Sequence, residues 1–323
     1  MTATTAPAPI PTIHTEAHEW DGLLARVPTG RPPLTELVRA AGRARRALPE
    51  PVHDALVDLG DDTLNDVAGT LLIRRAPVGE LPATPATPGA ASTKEPVSEF
   101  VLLAVARSLG QPVGYLPEHG GSLVQDLVPT PSAAARQTST SSAVELEFHT
   151  ETAFHPFRPR YLLLSCLRGD PSARTLLCDV ASVLELLPSA VRRVLEQPRF
   201  RTGVDESFTG GATAPPRAPA PILSGDPERP TLVFDAELMS GTDPDAQRAI
   251  ETLRALTRQQ RRHLCLEQGD LLVVDNHRCI HGRSAFPARF DGTDRWVQRS
   301  FVVSDLAPSA VERRGRIITS TFT

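Results

Sequence analysis

The chain has 323 residues and a mass of 34.8 kDa, enough for one large domain or two modest ones around a well-buried core. Its 34 basic residues against 38 acidic ones leave a net charge of −4, and the arginines are dispersed, which argues against a phosphate-binding stripe and a nucleic-acid partner. Four cysteines, Cys166, Cys178, Cys265 and Cys279, form no C-x-x-C pair, which argues against a disulfide framework or a zinc ribbon.

No apolar run reaches the ~18 residues that a membrane span needs. Residues 1–13 show neither the basic nor the apolar region of a signal peptide, so the expected setting is cytoplasmic, without a membrane partner. These residues are rich in Ala, Thr and Pro and too poor in apolar side chains to offset ordering entropy. A largely disordered tail is expected over 1–25, then a single domain over 26–323 whose first part, to about residue 113, is helical. Residues 82–93 and 210–221, both proline-rich, read as loops.

The spacing predicts a helix over 93–109, with Thr93 as cap, Pro96 in the first turn and Gly110 as stop. Strands are expected at 161–167 and 175–180. Residues 182–197 open on a capping-box pattern, Ser182-x-x-Glu185, and Pro188 is expected to split them into two short helices. A strand at 231–235 precedes an amphipathic helix over 243–261, capped by Asp243-Pro244, with Ala246, Ile250, Leu253 and Leu256 on one face. Strands at 271–275 and 295–303 close the series. Short strands with long, irregular connections disfavour a doubly wound sheet and suit a mainly β jelly roll with flanking helices, the core running from about 114 to 305.

His149-Thr150-Glu151 is the first candidate for chemistry. In an extended segment residues i and i+2 share a face, so an imidazole and a carboxylate can converge on one ion. With a distant histidine they would complete the facial triad of non-haem iron(II) oxygenases. The tripeptide alone is weak, since about one H-x-[D/E] is expected by chance in a chain of this composition. Indeed His14-Thr15-Glu16 repeats it, beside the proline-rich tail with no strand pattern around it, and reads as surface. Around His149, by contrast, Val144, Leu146 and Phe148 alternate with Ala143, Glu145 and Glu147, and His149 falls in phase with the second set. A hydrophobic strand later ends at Asp275-Asn276, and His277 and His281 follow; either can be the third ligand on composition alone. Arg295 and Arg299 share a strand face and offer guanidinium forks for carboxylates. The alternative makes them surface ion-pair partners of Asp291 and Asp294. Cys279 reads as a buried apolar cysteine, His155 as structural, and Trp296 as packed outward against helices.

The blocks FHTETAFHPFRPRYLLLSCLRGD (148–170) and LLVVDNHRCIHGRSAFPARFDGTDRWVQRSF (271–301) together resemble the clavaminate synthase-like iron(II)/2-oxoglutarate oxygenases. This subgroup of the taurine dioxygenase-like superfamily includes arginine and asparagine oxygenases of peptide-antibiotic biosynthesis. The resemblance runs from about Gly114 to Asp305. Glutamate at position 151, where aspartate is common in the wider superfamily, points to the same subgroup. The resemblance implies a double-stranded β-helix. It also implies iron bound by His149, Glu151 and His281, and 2-oxoglutarate gripped by Arg295 and Thr175. Arg299 then meets the α-carboxylate of an amino-acid substrate and Asp235 lies near its side chain. Glu147 and the QTSTSS loop (137–142) lie beside the metal and complete the pocket. One departure is SAAAR (132–136), where some relatives carry acid or amide residues.

The implied chemistry consumes O2, decarboxylates 2-oxoglutarate to succinate and CO2, and hydroxylates a C–H bond of the substrate. Halogenating relatives have a small residue in place of the carboxylate ligand, so Glu151 disfavours halogenation. Desaturation or cyclisation, a carrier-bound substrate, a catalytically silent binding protein and a hydrolytic zinc site are the competing readings. The free-amino-acid hydroxylase leads them, because His149, Glu151, His281 and Arg295 are all present.

Overall fold

The computed structural model describes residues 8–64, 68–90 and 94–322. The chain first forms β1 (Thr12–His14) and α1 (Asp21–Leu24), then α2 (Leu34–Ala44), α3 (Glu50–Gly60) and β2 (Thr70–Arg74). Next come α4 (Val97–Leu109), β3 (Gln111–Tyr115), β4 (Gln125–Leu127), β5 (Leu146–His149), β6 (Tyr161–Arg168) and β7 (Arg174–Asp179). Two short helices, α5 (Val180–Leu184) and α6 (Ser189–Leu195), lead to β8 (Phe200–Thr202) and α7 (Glu206–Thr209). Minor strands β9 (Leu223–Ser224), β10 (Thr231–Leu232) and β11 (Met239–Gly241) precede α8 (Pro244–Gln259) and β12 (Arg262–Cys265). Last come β13 (Leu271–Asp275), β14 (Cys279–Arg283), β15 (Trp296–Val303), β16 (Arg313–Arg314) and β17 (Ile317–Ile318).

Two sheets make the jelly roll. The large one runs β1-β2-β13-β6-β15-β3-β17-β16, with β4 also paired to β15, and the small one runs β12-β7-β14-β5. Side-chain alternation sorts the residues into layers. Leu162, Leu164, Cys166, Leu272, Val274, Val297 and Phe301 of the large sheet meet Leu177, Leu264 and Cys279 of the small one in a shared core. The other face of the large sheet (Leu163, Leu271, Val273, Val302) is buried under α2, α3 and α4. The other face of the small sheet (Phe148, Leu176, Cys178, Ile280) is covered by α5, α6, α8 and neighbouring segments.

The predicted strands at 161–167, 175–180, 271–275 and 295–303 form within a residue of their expected bounds. Pro188 splits α5 from α6 as expected, but Ser182 lies inside α5 and donates to the Asp179 carbonyl rather than forming a capping box. Asp243 does cap α8, accepting from the amides of Asp245 and Ala246. The helix expected from 93 begins at Val97, and Thr93 lies outside the described residues.

The N-terminal expectation needs correction. Residues 12–14 are not tail but a strand lying parallel to β2, and Trp20 and Leu23 are fully buried. The Thr15 hydroxyl accepts from Trp20 Nε1 at 2.9 Å and donates to the Arg74 carbonyl at 2.7 Å, which ties the segment down. Nor is the part before residue 113 purely helical, because β2 pairs with β13 inside the large sheet. Trp296 is buried as well, but against Val78, Val128 and Leu167 rather than helices, with its indole N–H on Asp126 at 2.7 Å.

Candidate metal centre

The small sheet brings two of the candidate ligands together: His281 on β14 stands directly opposite His149 on β5. A register shift follows between His281 and Arg283, and Gly282 lies so close to β5 that a Cβ there would meet the Leu146 carbonyl oxygen at 2.5 Å. Glu151 sits just beyond β5, on the turn that leaves the sheet. Ligand atoms of His149, Glu151 and His281 all lie within 4.8 Å of one another, and His281 Nε2 is 3.4 Å from Glu151 Oε2. Neither His277 nor His14 joins them. His149 Nδ1 is 2.8 Å from the Glu147 carbonyl, an orientation in which Nδ1–H donates and Nε2 is left bare for a metal.

Burial opposes ionisation of Glu151, but Arg299 and the two imidazoles outweigh it and hold the carboxyl at about 2. Burial, aided by His149, pushes His281 down to about 4. Near neutrality the site therefore offers a carboxylate and a neutral His281 imidazole, and with His149 this is a donor set that suits divalent iron with positions left open.

The arginines come from the large sheet and its approach. Arg295 is 8% exposed, and its guanidinium makes no hydrogen bond or ion pair among the described residues. Its surroundings are Cys166, Asp170 and Cys265, and burial lowers its pKa. Arg283 stands close enough to Arg295 to feel its charge; burial and that neighbour push it down to about 9. Arg283 bonds only neutral acceptors, the Ser141 carbonyl (2.6 Å), Ser141 Oγ (2.7 Å) and the Val144 carbonyl (3.3 Å). Thr175, opposite Arg283 in the β7–β14 ladder, is buried and its hydroxyl has no partner among the described residues. Two buried guanidiniums that make no ion pair among the described residues leave positive charge able to receive an anion, since an unpaired buried charge is costly. The surface-pair alternative fails, because Asp294 instead accepts from the amides of Arg289 and Phe290 and Asp291 accepts from Thr293.

Arg299, four residues on, is buried beside the metal group. Its Nη1 lies 3.5 Å from Glu151 Oε2, Nε (2.9 Å) and Nη2 (2.6 Å) donate to Gln125 Oε1, and Nη2 also donates to Glu118. Burial lifts the Glu118 carboxyl to about 7 in spite of Arg299, and its Oε2 is buried without a hydrogen bond. Glu118 and Gln125 escaped the sequence reading. The 132–136 segment holds no acid or amide; Glu118 ahead of β4 and Gln125 at its start supply them, Gln125 directly across from Arg299.

Asp235 forms a β-bridge with His149, which sets it beside the metal group. Its Oδ1 accepts from the amides of Glu237 (2.9 Å) and Leu238 (2.7 Å), and Oδ2 has no partner among the described residues. Glu147 contributes differently from expectation: its carbonyl orients His149, while its carboxylate pairs with Arg258 of α8 at 2.7 Å. The QTSTSS loop acts at one remove, through Gln137 on the Glu147 amide and Ser141 on Arg283. Cys279 is buried in the inter-sheet core, where burial pushes its thiol well up. His155 sits fully buried among Tyr115, Phe154, Phe157, Phe208 and Phe322 and is not one of the clustered ligand residues.

A jelly roll carrying two histidines and a carboxylate, with an unpaired buried arginine alongside, defines a non-haem iron oxygenase that uses 2-oxoglutarate. The chain belongs to the family described as "Taurine catabolism dioxygenase TauD, TfdA family", which its residues 86–301 match. It is 40% identical to an L-asparagine oxygenase of Streptomyces coelicolor over 90% of this chain and 87% of that protein. It is 39% identical to an L-lysine 3-hydroxylase of Catenulispora acidiphila, over 86% and 79% respectively. A crystal structure of asparagine oxygenase with Fe(II), 2S,3S-3-hydroxyasparagine and succinate superposes with a TM-score of 0.87 at 35% identity, covering 96% of this chain and 99% of that one. Among the described residues, no helix is long and apolar enough to cross a membrane.

Proposed function

We propose that this chain hydroxylates an unactivated C–H bond, at Cβ or Cγ, of an L-amino acid with a nitrogen-bearing side chain, in secondary metabolism. Lysine and arginine lead; asparagine, glutamine and histidine follow. When bound, iron(II) and 2-oxoglutarate supply the oxidising chemistry: O2 is consumed, the keto acid becomes succinate and CO2, and one oxygen atom enters the substrate.

The protein's own residues divide the remaining work. His149, Glu151 and His281 hold the metal. Arg295 and the Thr175 hydroxyl take the distal carboxylate of 2-oxoglutarate, a pairing in which the guanidinium fork gives two parallel hydrogen bonds. Arg299 takes the substrate α-carboxylate. Glu118, beside it, accepts a hydrogen bond from the α-ammonium through its unpartnered Oε2, a contact that favours its ionised form. Asp235 Oδ2 faces the side chain and selects for a cation or a strong N–H donor, because an anion left unpaired in a partly desolvated pocket is costly.

The observation that carries this reading is Arg299, buried between Glu118, Gln125 and Glu151 and so placed beside both the metal group and an acid. The similarity to an asparagine oxygenase and a lysine 3-hydroxylase supports the substrate class. Initial rates across an amino-acid panel test it. Nitrogen-bearing amino acids should turn over while leucine and glutamate are poor, and Asp235→Asn should flatten that preference without changing uncoupled succinate release. A wild-type preference for leucine or glutamate over every nitrogen-bearing amino acid would place Asp235 on the wrong wall of the site.

A further inference from the structure

Asn276 follows β13 and precedes β14, on the turn that leads to His281, and it is completely buried. Its side chain faces back toward the other metal-binding segment. Oδ1 accepts from the Glu151 amide at 2.7 Å, while Nδ2 donates to the Glu151 carbonyl at 3.2 Å and to the Pro159 carbonyl at 3.0 Å. The Asn276 amide itself donates to the Arg160 carbonyl at 2.8 Å. One primary amide thus satisfies both backbone polar groups of Glu151, as a paired strand would, at a place where no strand runs.

The chain needs such a clamp there. Thr152, the next residue, has a φ of +47°, a left-handed conformation that a β-branched side chain resists and that persists only where the surroundings hold it. On the other side, Thr150 is already locked to the Asp235 segment: its amide donates to the Phe234 carbonyl at 2.6 Å and its hydroxyl accepts from the Phe234 amide at 3.1 Å. Glu151 lies between these anchors, and its carboxylate has two attractions, the imidazole of His281 at 3.4 Å and the guanidinium of Arg299 at 3.5 Å.

We propose that Asn276 is a positioning residue that holds Glu151 toward the two histidines and away from a closer pairing with Arg299, and so sets the affinity of the metal site. This rests on the metal reading of His149, Glu151 and His281. Without the amide, the Glu151 backbone loses both partners, the left-handed turn relaxes, and the carboxylate is free to settle on Arg299.

The test is anaerobic titration of the metal-free full chain with Co(II) alone, followed by ligand-field absorbance, alongside thermal unfolding. Asn276→Ala should weaken Co(II) binding by roughly 10–100-fold, the usual cost of losing a support for a ligand. Asn276→Asp keeps the acceptor for the Glu151 amide but replaces both donated bonds with repulsion, and should weaken binding likewise. Thr15→Val, which removes a buried hydroxyl far from the site, should lower thermal stability and leave Co(II) affinity unchanged. Binding within twofold of wild type in either folded Asn276 variant would overturn the proposal. So would failure of both variants to fold, since Asn276 would then support the molecule at large. If wild type itself binds no Co(II), the metal reading falls and this proposal with it.

Discussion

Arg295 and Arg299 face one interior from positions four apart, and their surroundings prepare them for different partners. Arg299 already holds two carboxylates and an amide, whereas Arg295 holds none and is destabilised in its charged form by burial. Arg295→Lys keeps the charge but not the fork. The half-saturating 2-oxoglutarate concentration should therefore rise by the equivalent of about 1.5–3 kcal/mol, a charged hydrogen bond; an unchanged value would remove Arg295 from that role. The two HTE tripeptides give a second contrast. Glu16 is exposed, pairs with Arg75 and accepts in the capping box of residues 16–19, while Glu151 is buried among histidines. Alanine at Glu151 should abolish turnover and metal binding, and alanine at Glu16 should preserve both, costing at most about 1 kcal/mol of stability as surface pairs do. Equal losses would refute the assignment. His149 with Glu151, and Arg295 with Arg299, were legible as pairs because each lies in one local motif, whereas His281 was preferred to His277 only through the family resemblance. Glu118 and Gln125 were not, since each meets Arg299 across more than 170 residues and no spacing rule reaches that far.

At the level of elements, the site depends on how closely β14 approaches β5. Any side chain at Gly282 would strike the Leu146 carbonyl, so Gly282→Ala should push the strands apart and separate His281 from His149. Overpacking of this kind costs about 1–3 kcal/mol. Urea denaturation should show that loss, and metal titration a weakened site; unchanged metal affinity would mean that the ladder yields elsewhere. The apolar strands of the core were readable because burial on both faces leaves continuous hydrophobic runs. β1 was not: Thr12–His14 is three residues long with one apolar side chain, and it is ordered by the backbone of β2. The segment 231–235 was expected as a full strand but pairs as one only at Thr231–Leu232. Beyond that, Phe234 and Ala236 bond to Thr150 and Phe148, so the end of β5 captures the segment and sets Asp235 opposite His149.

For the whole molecule, two buried histidines, His155 and His281, and two part-buried ones, His119 and His277, make the metal-free protein sensitive to acid. Burial pushes His119, His277 and His281 down to about 4 and His155 to about 3. The unfolded chain takes up these protons near pH 6.5 and the folded chain only near pH 4, so stability is fully present above about 6.5 and falls as pH drops through that window. Glu118 acts oppositely: raised to about 7, it contributes stability while protonated and loses it as pH rises toward 7, which offsets one of the four. Each remaining proton steepens the slope by about 1.4 kcal/mol per pH unit. The urea midpoint of the metal-free chain should therefore fall clearly from pH 7 to pH 5, and a flat midpoint would contradict neutral imidazoles at these four positions. The jelly roll itself was readable from short strands joined by irregular connections. How the two sheets bring the site residues face to face was not, because facing side chains of two sheets share no sequence periodicity. The central claim, that this site couples 2-oxoglutarate decarboxylation to hydroxylation of a nitrogen-bearing amino acid, is tested most directly by anaerobic assembly with iron(II) and 2-oxoglutarate. Air is then admitted in the presence of each amino acid, and succinate and product mass are followed together. Succinate should rise well above the uncoupled background with lysine, arginine or asparagine, matched by a product heavier by one oxygen atom. Background succinate with every amino acid, and no product of that mass, would contradict it.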